Sequence, residues 1–109
     1  MQNNLDSLIK YIAEKHAFTG EKYPEIKEAS PEEILHFAIR HSALHFAKTA
    51  GKIAATSEDI DHGEKGKLED LKVNTAKSLI NTLRLAELLG MTEKELTERV
   101  TEILDQNNE

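Results

Sequence analysis

The chain carries 14 Lys and Arg against 20 Asp and Glu over 109 residues, a formal net charge of -6. That acidic balance excludes general affinity for nucleic acid or an anionic membrane, so any basic patch must be local. The absence of cysteine removes disulfides and Cys-type zinc sites, and makes the cytoplasm the expected compartment.

The N-terminus has no basic, apolar leader, and no stretch approaches the roughly 18 apolar residues of a membrane span, so a soluble, unprocessed protein is expected. The length suits one domain that would bury more surface by pairing with a copy of itself, as a homodimer or homotetramer. Residues 1–109 are accordingly read as a single all-α domain, with 1–29 an N-terminal helix and connector and 30–104 the helical core.

Leu5, Leu8, Ile9 and Ile12 repeat at helical spacing after Asn4, a candidate cap, and predict a first helix ending near Lys15. Residues 16–29 contain Gly20 and Pro24 and lose the periodicity, so they read as a long connector. Such a segment is either a plain surface crossing or a loop with a role of its own.

Ser30-Pro31-Glu32-Glu33 opens the second helix: Ser30 caps, Pro31 suits the first turn and Glu33 completes a capping box. The helix is expected to run to Ala55, with Leu35, Ile39, Ala43, Phe46, Ala50 and Ile53 on its core stripe and Ala47 and Ala54 beside it. Residues 56–67 then form a central loop. A third helix from Leu68 to Leu89 presents Val73, Ala76, Leu79, Ile80, Leu83 and Ala86 to the core, and Gly90 ends it in a left-handed cap. Thr92 and Glu95 form a second capping box for a last helix through Leu96, Val100, Ile103 and Leu104. The expected architecture is a four-helix-type bundle built on two long antiparallel central helices.

Both long helices carry a polar sector away from the apolar stripe. At about 100° per residue, His41, His45, Lys48 and Lys52 share one narrow sector with Ser42 and Thr49 at its edge, and Asn74, Lys77, Asn81 and Arg84 share another. Neither holds a carboxylate, although acids dominate elsewhere, whereas a surface serving only solubility would mix signs. The sectors either face water or converge on a cleft. His41 and His45 also have the spacing of a helical metal pair, with His62, Asp59, Asp61 or Glu64 as candidate third ligands. Lys48 and Lys52 would repel a cation there, so no metal is assigned. Gly63 and Gly66 lack the spacing and the Lys-Ser/Thr ending of a phosphate loop.

Residues 71–104, LKVNTAKSLINTLRLAELLGMTEKELTERVTEIL, resemble the C-terminal half of a MazG-like domain, the all-α nucleoside triphosphate pyrophosphohydrolase superfamily. Leu83-Arg84-Leu85-Ala86, the Leu88-Leu89-Gly90 helix end and the short helix capped at Thr92, with Glu93 and Glu95 in its first turn, carry the likeness. With residues 36–54 it covers about two thirds of the chain. The resemblance implies a bundle usually completed by dimerisation, and magnesium held by Glu-x-x-Glu on one long helix and Glu-x-x-Asp on the next.

Aligned at the Leu83–Gly90 helix end, the second motif falls on Asn74-Thr75-Ala76-Lys77 and the first on Thr49-Ala50-Gly51-Lys52, with all four carboxylates missing. Magnesium requires oxygen ligands that lysine cannot supply, so the family's metal-activated hydrolysis does not transfer to these residues. An ammonium can instead neutralise phosphate oxygens directly.

The expected function is binding without hydrolysis: an anion, a nucleotide or other phosphate ester, held by His41, His45, Lys48, Thr49 and Lys52 facing Asn74, Lys77, Asn81 and Arg84, with no cofactor. One alternative is an active pyrophosphohydrolase whose magnesium site is rebuilt from Glu58, Asp59, Asp61, Glu64, Glu69 or Asp70. Another is a protein-protein interaction module whose basic sectors dock an acidic surface such as residues 24–33 of a partner subunit.

Overall fold

The computed structural model describes residues 3–63 and 67–107. It contains α1 (Leu5–Lys15), a 3-10 turn (Pro24–Ile26), α2 (Pro31–Asp61), α3 (Leu68–Leu88) and α4 (Glu93–Asn107). Among the described residues there is no strand, and no helix is long and apolar enough to cross a membrane.

The helix starts follow from local chemistry. Asn4 Oδ1 accepts from the Ser7 N–H at 2.8 Å, satisfying a donor that has no partner within α1. Ser30 and Glu33 exchange both bonds of a capping box around Pro31. Thr92 Oγ1 accepts from the Glu95 N–H at 3.3 Å. A further pair ties α1 to α4: Asp6 Oδ1 accepts from the Glu93 N–H at 2.8 Å, and Glu93 Oε1 accepts from the Leu5 N–H at 3.3 Å.

The third helix stops as expected, with Gly90 at φ +71°. The second helix does not stop at Ala55 but continues to Asp61, so residues 56–61 are helical, not loop. Thr56 and Ile60 are half-buried, and that packing outweighs the modest local preference of Ser57 and Asp59 for non-helical backbone. Gly63 at φ +93° follows the helix end.

Buried apolar residues concentrate where α1 crosses α3: Ile9, Ile12 and Leu83, with Leu5, Leu8 and Leu96 packed around them. Between α2 and α3 the buried positions are largely small or polar: Ala38, Ser42 and Thr49 from one helix, Asn74 and Asn81 from the other. The expected core stripe is met only in part, with Ile39 and Ile53 of α2 half-buried. Leu35 and Phe46 are 38% and 39% exposed, Ala43 and Ala50 are exposed, and so are Val73, Ala76, Leu79 and Ile80; only Leu83 and Ala86 of the α3 stripe are buried. Val100, Ile103 and Leu104 of α4 are exposed as well.

The reason is geometric. Rows spaced three, four or seven apart (Ile34, Ala38, Ser42, Thr49, Ile53 on α2; Leu71, Asn74, Ser78, Asn81, Leu85, Leu88 on α3) are buried or half-buried, and their small members permit close approach. An 11-residue α1 is then too short to cover the apolar faces of helices of 31 and 21 residues.

The chain is extended as a result. Its radius of gyration is 16.7 Å, against about 13 Å for a compact domain of this length. Its accessible surface is 8070 Å², against about 6,100 Å² for a compact 12.3 kDa monomer.

Candidate functional site

The connector at residues 16–29 is a packed cover over the start of α2 and the end of α3. The Tyr23 N–H donates to the Thr19 carbonyl at 2.8 Å, and Ile26 is buried. A Cβ on Gly20 would lie 2.8 Å from the Lys27 Cα, so glycine is what lets the segment double back on itself.

Phe18 and Tyr23 stack with centroids 5.3 Å apart, and both set their edges against Phe37 and His41 of α2, at centroid distances of 5.1 to 6.2 Å. Arg84 of α3 closes the other side. Its guanidinium lies 4.1 Å from the Phe18 ring centroid and donates to the His16 carbonyl. Because Phe18 touches His41 and Arg84 at once, the polar sectors of the two helices open on the same side of the hairpin at this end.

His41 and His45 come together with their Nε2 atoms 3.1 Å apart, and the Tyr23 hydroxyl lies 3.5 Å from the His41 Nε2. His41, Leu44, His45 and Lys48 line an open hollow of about 220 Å³. A second cleft of about 330 Å³ lies under the connector, lined by Ala13, His16, Phe18, Ile34, Ala38, Arg84 and Leu88 among others.

The remaining residues singled out from the sequence divide into two groups. Asn81 Nδ2 donates to Thr49 Oγ1 at 3.1 Å and lies 3.4 Å from the His45 carbonyl; Asn74 Nδ2 donates to the Asp70 carbonyl of its own helix. Thr49, Asn74, Asn81 and Arg84 are therefore buried and already paired, and serve the hairpin's own packing. His45, Lys48, Lys52 and Lys77 are exposed, and His41 is half-buried. Ser42 Oγ is buried with no hydrogen-bond partner among the described residues.

Burial lowers the His41 pKa below its ordinary value, helped by the nearby positive charge of His45, Arg84 and Lys22 and opposed by Glu25. His16 is lowered for the same leading reason, then by Arg84, Lys22 and His45. Both rings therefore stay neutral over more of the pH range than a free histidine.

No protein-family model, curated protein or solved structure matches the chain. Among the described residues no three of His, Asp or Glu are grouped closely enough to hold a metal. Glu58, Asp59 and Asp61 sit in the last turns of α2, and Glu69 and Asp70 in the first turn of α3. Glu64 and Gly66 lie outside the described residues.

Sequence reasoning missed Phe18, Tyr23 and Phe37. A signal was there: three of the chain's five aromatic residues fall between positions 18 and 37, two of them in the aperiodic connector.

Proposed function

We propose that the chain is a divergent MazG-like helical protein that binds an anion, a nucleotide or other phosphate ester, along the basic side of the α2–α3 hairpin without hydrolysing it. The observation that carries this reading is the placement of Phe18 against both His41 and Arg84, which turns the two carboxylate-free sectors the same way. Lys48, Lys52 and Lys77, exposed on those sectors, are the groups that would meet phosphate oxygens, with His41 and His45 at one end. Arg84 acts as an anchor for the connector and Asn81 and Thr49 as a hairpin clasp, so the binding set is narrower than the sequence suggests.

Lysines at these positions neutralise phosphate charge as point cations but cannot hold magnesium, which favours binding over hydrolysis. The test is thermal stability in EDTA with inorganic phosphate, pyrophosphate, AMP and ATP at moderate salt. At least one should raise Tm in proportion to the logarithm of its concentration, and Lys48→Ala with Lys52→Ala should remove the rise. No stabilisation by any of them rejects the reading.

The exposed apolar stripe favours a second reading, a self-associating module. The surface excess of about 2,000 Å² over a compact monomer exceeds the roughly 800 Å² that each partner contributes to a standard interface. Leu35, Phe46, Leu79 and Ile80 supply large apolar side chains, and Ala43, Ala47 and Ala50 let a second helix approach closely. A homodimer through this face predicts twice the monomer mass by light scattering, and a monomer or unfolded chain for Phe46→Glu. A monodisperse wild-type monomer at about 100 μM would remove it.

A further inference from the structure

We infer that α4 is an exchange arm: its apolar stripe docks on a second copy of this chain, along the basic side of that copy's α2–α3 hairpin, and the exchange is reciprocal, giving a two-fold dimer. In its own chain α4 is fastened at its start. Asp6 and Glu93 tie it to α1, and Leu96 packs beside Ile9, Ile12 and Leu83. From Thr97 to Gln106 every residue is exposed. Val100, Ile103 and Leu104 continue the row of Leu96 at helical spacing, and each is more than half exposed. An isolated helix of 15 residues is marginal in water, so this one gains most of its stability from whatever covers that stripe.

The chain itself carries a matching surface. Residues 34–57 and 71–86 contain no Asp or Glu, and Lys48, Lys52 and Lys77 are exposed on the side where the two polar sectors open. That side is also partly apolar. Leu44 is exposed in the hollow it shares with His41, His45 and Lys48. At about 100° per residue, Val73 and Ile80 fall within about 60° of Lys77 around α3, and both are exposed.

Charge decides the occupant. α4 holds Glu93, Glu95, Glu98, Glu102 and Asp105 against Lys94 and Arg99. Both bases are paired within the helix, Arg99 with Glu95 at 2.9 Å and Lys94 with Glu98 at 4.0 Å, while Glu102 and Asp105 have no ion pair among the described residues. An apolar stripe among acids fits an apolar row among lysines: the aliphatic groups bury each other, and Glu102 and Asp105 meet Lys48, Lys52 and Lys77. The acidic segment 24–33 is a poorer occupant, because Ile26 is already buried and Glu33 already accepts from the Ser30 N–H. Lys48 and Phe46 point about 160° apart around α2, so this contact is separate from the Phe46 face and shares with that reading self-association alone. It needs no phosphate, which would compete for the same lysines.

The experiment uses the full chain in phosphate-free buffer at low salt. Sedimentation at about 100 μM should give the dimer mass. Ile103→Glu with Leu104→Glu, at exposed positions outside the core, should give a monomer with unchanged helical circular dichroism, whereas Phe46→Glu should stay dimeric. Lys48→Glu with Lys52→Glu should weaken the dimer at least tenfold, and adding Glu102→Lys with Asp105→Lys should recover it. The chain has no cysteine, which makes trapping specific. Chains carrying Ile103→Cys, mixed with chains carrying Val73→Cys, Lys77→Cys or Ile80→Cys, should give a disulfide-linked heterodimer with at least one of the three. The inference is overturned by a monomeric wild-type chain, by no heterodimer from any of the mixtures, or by a dimer that survives the α4 substitutions; loss of that dimer in Phe46→Glu would then leave the Phe46 face standing as the contact.

Discussion

Arg84 and Phe18 are stacked, with the guanidinium carbon 4.1 Å from the ring centroid, while the same guanidinium donates to the His16 carbonyl. One residue of α3 thus fastens the connector from two sides. At 9% exposure the charge has little water, and burial lowers its pKa, opposed by the nearby Tyr23 hydroxyl and Glu87 carboxylate. Arg84→Ala should cost about 2–3 kcal/mol in urea unfolding, from the lost cation–π contact and a charge-assisted hydrogen bond. Arg84→Lys should recover less than half, because an ammonium cannot stack flat and donate sideways together. Faster amide exchange over residues 17–23 in both variants would place the effect in the connector.

The Asn81–Thr49 clasp predicts non-additive mutations. Thr49→Val removes an acceptor from the buried Asn81 amide and should destabilise by about 1–2 kcal/mol, as should Asn81→Leu by orphaning the hydroxyl. The double variant replaces both partners with apolar groups and should sit near wild type. A double-mutant cycle with a coupling of about 1 kcal/mol or more checks this.

Ser42 makes the opposite prediction. Its hydroxyl is buried with no partner among the described residues, so it carries a desolvation cost with no bond to offset it. Ser42→Ala should raise stability by about 1 kcal/mol, read as a higher urea midpoint at unchanged slope.

The histidines set the acid limit. His41 and His16 have folded pKa values below 6.5, so the unfolded chain binds more protons once pH falls through that value. Stability should be full above about pH 7, decline as pH drops below 6.5, and level off below the folded values with respect to these two groups. Thermal unfolding from pH 7.5 to 5 measures the decline, and His41→Phe, which keeps a ring in the aromatic cluster, should flatten it.

How much of this was legible beforehand depended on the range of the interaction involved. The caps at Asn4, Ser30 and Thr92 and the left-handed Gly90 are set by groups within four residues, and all four appear where the sequence places them. The all-α character follows from periodicity for the same reason. The end of α2 was misplaced because its last two turns are held by packing, to which local propensity is blind.

The sequence by itself determined the helices, their caps and the two carboxylate-free sectors, since these are matters of spacing along one rod. Only the tertiary structure decided which sides of α2 and α3 meet. A helical wheel ranks faces by hydropathy, whereas the hairpin closes along rows of small and polar residues that clasp each other, and so leaves Phe46, Leu79 and Ile80 exposed. The same closure buried Arg84 and Asn81 and gave each a hydrogen-bond partner within the fold, and it brought Phe18 and Tyr23, distant in sequence, onto His41. Contacts between residues far apart in the chain leave no periodic trace.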